Sequence, residues 1–158
     1  MVINGFGKKY NSGKLVYELN NKKDGLNNKE YDVVNYKLIF EGGYLNGKRN
    51  GKEKEYYYNG KIIFEGEYLN GKRWNGKRRI YIGDKLVFEG EYLKGKKWNG
   101  KYYDKYNGKV THELVNGKGK IIKYNNKGQV IFEGEYLNGQ RNGTGIEYYD
   151  DKIRFFGG

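Results

Sequence analysis

Apolar and polar residues alternate along this chain in short runs, and the runs return. Residues 40–47 read Phe-Glu-Gly-Gly-Tyr-Leu-Asn-Gly, and near-copies begin at Phe64, Phe88 and Phe132. The Phe positions are 24, 24 and 44 residues apart, and a worn copy, Val110 to Gly117, divides the long interval. Such alternation predicts half-buried strands whose side chains point to opposite faces in turn. Phe64, Gly66 and Tyr68 fall on one face; Glu65, Glu67 and Leu69 fall on the other. A fixed period in the twenties predicts a repeat array, in which each unit is too small to bury a core alone.

Residues 51–71 show how one unit is built. Lys52 to Tyr58 has strand composition at its aromatic end, and Asn59-Gly60 then reads as a two-residue type I′ turn, which needs positive φ at both positions. The returning strand, Lys61 to Leu69, would set Tyr57 opposite Ile62, Lys54 opposite Glu65 and Lys52 opposite Glu67. The last two are opposite-charge pairs, each contributing about 0.2–1 kcal/mol. The trios Phe40/Gly42/Tyr44, Phe64/Gly66/Tyr68, Phe88/Gly90/Tyr92 and Phe132/Gly134/Tyr136 predict an aromatic spine. Each Gly would leave room for a ring from the adjacent hairpin.

Asn46–Gly51, Asn70–Gly76, Lys94–Gly100 and Asn138–Gly143 read as longer loops, all on one edge, with basic residues between glycines. The expected fold is all-β: an elongated single-layer antiparallel meander of about six hairpin repeats over residues 1–158, a solenoid-like array extending about 60 Å. Both ends fall within a repeat. Asn4-Gly5-Phe6-Gly7 matches Asn142 to Gly145, and Lys152 to Gly157 breaks off where the block should continue. Unpaired end strands invite pairing with a second copy, so a homodimer through them is expected.

Phe132-Glu133-Gly134-Glu135-Tyr136, Asn138-Gly139, Asn142-Gly143-Thr144-Gly145 and Tyr148-Tyr149 resemble the MORN repeat: two aromatics around a Gly, then N-G-x-x-x-G-x-G and a further aromatic. The resemblance covers nearly the whole chain, with four strong copies and worn ones near residues 15–30 and 110–119. In the middle repeats the second Gly of G-x-G is replaced by Glu53, Arg78 and Tyr102, so those hairpins should pack differently. Tyr44, Tyr68 and Tyr92 stand where the commonest form of the repeat has Trp. The resemblance implies a scaffold that recruits protein, dimerises, and in some members binds phospholipid. Related repeats occur in bacterial proteins labelled as antitoxins.

Composition sharpens this picture. Hydrophobic residues make up 36% of the chain, below the usual 45–50% or so, while the 18 Tyr raise the aromatic share to 17%, so packing must rely on rings. There is no Cys, which removes disulfides and thiolate chemistry. No apolar run approaches the roughly 20 residues that span a bilayer, and the start does not read as a secretory signal. A cytoplasmic protein, peripheral at a membrane in the lipid-binding reading, is expected. Net charge is +12, which favours anionic partners or simply keeps an aromatic-rich sheet soluble.

Catalytic chemistry is sparse. His112 is the single His, with no nucleophile near it in sequence. The pairs Glu65/Glu67, Glu89/Glu91 and Glu133/Glu135 suit cross-strand lysines better than a cation or acid–base work. The Gly-x-Gly spacings do not open helices, which excludes a dinucleotide cradle. No cofactor, metal site or catalytic residue is expected. The candidate site is a basic edge: Lys48, Arg49, Lys72, Arg73, Trp74, Lys96, Lys97, Trp98 and Arg141. Trp beside Lys or Arg suits an anionic bilayer surface; it suits single-stranded nucleic acid less well here, as no base-reading signature accompanies it. The competing reading folds each Trp back on the array as a plug. The expected function is a non-catalytic protein scaffold, with anionic-phospholipid binding as the alternative; an antitoxin-like role is a further reading.

Overall fold

The computed structural model describes residues 7–19, 27–125, 127–149 and 152–156. The matches expected at residues 4–6 and at Gly157, and part of the worn copy near 15–30, lie outside them. Among the described residues there are fourteen strands and no helix. They form one open antiparallel meander in which each strand neighbours those before and after it in the chain.

Two compact units divide the chain between Lys77 and Arg78. The first holds β1 (Gly7–Asn11), β2 (Lys14–Leu19), β3 (Asn28–Tyr31), β4 (Leu38–Leu45), β5 (Lys48–Tyr56) and β6 (Ile62–Leu69). Strand β7 (Lys72–Ile82) carries the chain across the boundary. The second holds β8 (Lys85–Leu93), β9 (Lys96–Tyr103), β10 (Val110–Val115), β11 (Lys118–Tyr124), β12 (Val130–Leu137), β13 (Gln140–Tyr149) and β14 (Lys152–Phe156).

The face assignment holds. Phe40, Phe64 and Tyr68 are buried in the first unit, and Phe88, Phe132 and Tyr136 in the second, while Glu65, Glu67, Glu91 and Glu135 are exposed. Leu114, Ile121 and Ile122 complete the core of the second unit. Apolar side chains that gather on one face drive burial at about 25 cal/mol per Å².

The tight turns lie elsewhere than the sequence suggested. At Asn46-Gly47, Asn70-Gly71, Lys94-Gly95, Asn116-Gly117 and Asn138-Gly139 both residues have φ between 49° and 81°, the requirement of a type I′ turn. The expected long loops are therefore two-residue turns followed directly by strand. At Asn59-Gly60 only Gly60 has positive φ, and its N–H donates to the Tyr57 carbonyl at 2.8 Å. That connection is a three-residue turn with a bulge, the pattern of a type I turn closed by a left-handed Gly. Tyr57 thus meets Lys61, not Ile62, through its N–H bond to the Lys61 carbonyl at 2.8 Å. The bulge between Glu55 and Tyr56 absorbs the extra residue, so Lys54 still faces Glu65 and Lys52 still faces Glu67.

The two kinds of turn are held differently. The Gly71 N–H donates to the Arg49 carbonyl at 2.8 Å, Gly117 to Trp98 at 2.6 Å and Gly139 to Gly117 at 2.9 Å, so tight turns bond to the preceding repeat. The backbones of the wider turns at 32–37 and 104–109 are held from within the turn, with one side-chain bond leaving the first, from the Tyr36 hydroxyl to the Asn11 carbonyl at 3.4 Å. Asp32 Oδ1 accepts the Val34 and Asn35 N–H groups at 2.9 Å, and Asp104 Oδ1 accepts those of Tyr106 and Asn107 at 2.8 and 2.9 Å.

Candidate functional site

A two-residue turn fixes which residues face each other. Asn46-Gly47 sets Leu45 opposite Lys48 and Tyr44 opposite Arg49. Likewise Tyr92 faces Lys97, and Tyr136 faces Arg141. The second basic residue of each pair consequently turns onto the aromatic face. The expected single basic edge is corrected here: its residues belong to β5, β7, β9 and β13, and they divide between two faces.

On the aromatic face a cation nine residues after each Phe covers that ring. Distances from the cationic group to the ring centre are 3.8 Å for Arg49 on Phe40, 5.4 Å for Arg73 on Phe64, 4.4 Å for Lys97 on Phe88 and 4.1 Å for Arg141 on Phe132. Such contacts are worth about 0.5–2 kcal/mol according to desolvation. Edge-to-face partners complete the modules: Tyr44 on Phe40 at 5.8 Å, Tyr68 on Phe64 at 5.5 Å and Tyr136 on Phe132 at 6.2 Å. In the first unit Tyr68 also reaches Phe40 across one repeat, at 6.5 Å.

In that unit a carboxylate closes each module. Arg49 donates to both oxygens of Glu30 at 3.1 and 3.0 Å, and the Tyr44 hydroxyl donates to the same carboxylate. Arg73 donates to both oxygens of Glu55 at 2.7 and 2.6 Å, joined by the Tyr68 hydroxyl. Fork-on-fork geometry of this kind makes a strong, directional pair. Burial first, then the bond to a carboxylate, hold Tyr68 in its phenol form, pushing its pKa up to about 12.

Two departures from the repeat occupy unusual surroundings. Glu53, where the repeat pattern has Gly, is buried between Gly42 and Gly66 on the flanking strands. Both carboxylate oxygens are buried without a hydrogen-bond partner, and desolvation raises its pKa to about 8. Tyr102, in the equivalent place two repeats on, is fully buried, its ring 4.7 Å from that of Phe88. Lys97 donates to its hydroxyl at 3.0 Å.

The recurring glycines of the Phe-Glu-Gly blocks have surroundings different from those expected. A Cβ on Gly90 would fall 2.6 Å from the Phe88 ring, and one on Gly134 would fall 2.8 Å from the Phe132 ring. At Gly90 and Gly134 the covering ring is thus that of the same block, folded forward two residues, while at Gly42 the Glu53 side chain fills the space, 2.5 Å from where a Cβ would sit. A Cβ on Gly66 would also fall 2.6 Å from the Gly76 Cα across the strands.

Lys48, Lys72 and Lys96 remain on the opposite face, each just after a tight turn. The exposed aliphatics Leu45, Leu69 and Leu93 precede those turns. Trp74 and Trp98 are part-buried within strands; the Trp98 ring lies against Gly117, at 2.8 Å from where a Cβ there would sit. His112 faces Glu133, Nε2 to Oε1 3.5 Å, with no nucleophile set against it among the described contacts. The Glu pairs meet cross-strand partners, as in Lys54 to Glu65 at 3.4 Å and Asn99 to Glu91 at 3.2 Å. Sequence reasoning missed the inward cations, because it took their segments for loops; the Asn-Gly or Lys-Gly two residues before each of Arg49, Arg73, Lys97 and Arg141 was the available signal. No family model matches this chain, and no curated protein matches it.

Proposed function

We propose that this chain is a non-catalytic interaction scaffold of MORN-type repeats, and that its working surface is the tight-turn edge. The observation that carries the reading is the pairing of an exposed aliphatic with a lysine at successive tight turns. In the first unit Leu45 accompanies Lys48, and Leu69 accompanies Lys72. In the second, Leu93 accompanies Lys96, and Val115 accompanies Lys118; all four apolar side chains are exposed. Apolar contact supplies affinity, and the lysines select an acidic protein partner and speed encounter. The strands β1 and β14, each with a single strand neighbour among the described residues, support a second mode, addition of another copy of the chain.

The same edge supports the alternative of an anionic phospholipid surface, at about 1 kcal/mol per lysine near the bilayer. No described helix is long and apolar enough to cross a membrane. The test compares the native chain with a variant carrying Lys48, Lys72, Lys96 and Lys118 as Ser. Both are run in pull-downs from the source cells and in co-sedimentation with anionic vesicles. Loss of a captured protein in the variant, with negligible vesicle binding by either form, is the expected result. Vesicle binding lost in the variant selects the lipid reading, and identical behaviour of both forms in both assays overturns the edge itself.

A further inference from the structure

Lys97 is the one module cation that stands without a carboxylate among the described contacts. Its Nζ sits 4.4 Å from the Phe88 ring centre and 5.3 Å from that of Tyr102, and its hydrogen bond goes to the Tyr102 hydroxyl. Both rings are fully buried. In the first unit Glu55 lies four residues after Gly51 and holds Arg73; four residues after Gly76 the chain has Ile80, packed against the core. Among the described contacts, Tyr92 on β8 stands opposite Lys97 and Tyr102 on its own strand bonds to it, and the charges that act on it are those of Arg78 on β7 and Lys123 on β11. Not one of them is an acid of the carboxylate class. Burial first, then the charges of Lys123 and Arg78, lower the Lys97 pKa to about 7. Desolvation beside other cations is a recognised way to make a lysine nucleophilic at neutral pH.

We propose that Lys97 is a carbon dioxide-reactive amine, whose Nζ forms a carbamate that takes the place of the carboxylate this module lacks. The nitrogen lone pair attacks the carbon of CO2, an N–C bond forms, and one C=O electron pair moves onto oxygen. A proton leaves nitrogen for water, so that the amine and CO2 yield a carbamate anion and one released proton. No oxidant or further reactant is needed. The product carries a negative charge facing Arg78 and Lys123, which reverses the repulsion that a protonated Lys97 meets there. Small, uncharged CO2 suits a part-buried amine set over two rings better than a bulky electrophile does. At pH 7.5 the free-amine fraction of such a lysine exceeds that of an ordinary exposed one by on the order of several hundred-fold.

The experiment uses the full chain with 13C-labelled bicarbonate at pH 7.5, read by carbon NMR. Alkylative trapping of the carbamate and peptide mapping run in parallel. One carbamate resonance above that of the terminal amine is expected, with the trapped carboxyl on Lys97, and the signal should fall steeply below pH 7. Lys48→Arg should retain it and Lys97→Arg should lose it. Ile80→Glu restores a carboxylate beside Lys97, keeps the lysine charged and should abolish the signal in a folded chain. A trapped carboxyl only on the terminal amine or on other lysines of the native chain overturns the proposal, whether or not the Lys97 variant folds. So does a signal unchanged in Ile80→Glu.

Discussion

Around Phe64 the cation nine residues on is Arg73, and Glu55 meets it with both oxygens. Around Phe88 the cation is Lys97, Ile80 stands at the place of Glu55, and a tyrosine hydroxyl is what receives the ammonium. Arg and Glu have changed together to Lys and Ile. A guanidinium stays charged and presents a planar fork, so it needs a fixed anion when buried; an ammonium can shed its proton instead. The comparison teaches that the repeat demands a long basic side chain over each Phe but not a permanent charge. The methylene stem can cover apolar surface whether or not the head group is charged.

The largest expected effect breaks the first module. Glu55→Ala leaves the part-buried Arg73 without its partner and should cost about 3 kcal/mol, read by denaturant unfolding. The matched change in the second unit, Lys97→Met, removes a cation with no anion to abandon and should be neutral or stabilising. Equal losses in both would erase the distinction drawn between the modules.

Protonation gives a second contrast, with opposite signs. Glu53 has its pKa raised from 4.5 to about 8, so its contribution to stability is full below pH 4.5 and is lost as pH rises towards 8. Lys97 has its pKa lowered from 10.5 to about 7, so its contribution is full above pH 10.5 and is lost as pH falls towards 7. Each swing amounts to a few kcal/mol, at about 1.4 kcal/mol per pKa unit. Thermal melts at pH 5, 7.5 and 9.5 should show a minimum near neutrality. Glu53→Gln should remove the acid-side slope and Lys97→Met the alkaline one.

Gly66→Val and Gly90→Val sharpen the comparison from the other side, because both modules share this glycine. Each should lose about 1–3 kcal/mol through overpacking, and unchanged melting would contradict the contacts described. The smallest effect belongs to the outer face. Lys54→Ala, which breaks the exposed pair with Glu65, should cost below about 1 kcal/mol and less still in high salt.

The strand content, the two faces and the Lys-to-Glu register were legible because alternation and the 24-residue period encode them directly. The turns were not, since Asn-Gly occurs at both ends of the hairpin. Asn59-Gly60 resembles the tight turns at sequence level, yet a bulge near Tyr56 gives it one more residue. That single misplacement moved Arg49, Arg73, Lys97 and Arg141 from the aromatic face to an imagined loop. The departures at Glu53, Arg78 and Tyr102 were visible as broken glycines. Their chemistry was not, because it depends on which neighbours the fold brings to the same face.

The unequal fastening of the turns sets where this chain can change length. A residue added at Asn70-Gly71 or Asn138-Gly139 displaces an N–H that closes a bond to the preceding repeat, so the disturbance passes to a second hairpin. A residue added beyond Asp32 or Asp104 disturbs hydrogen bonds that begin and end within one turn. Fusions, reporter tags and natural insertions therefore belong on the wide-turn side, at Val34 or Tyr106, both more than four-fifths exposed.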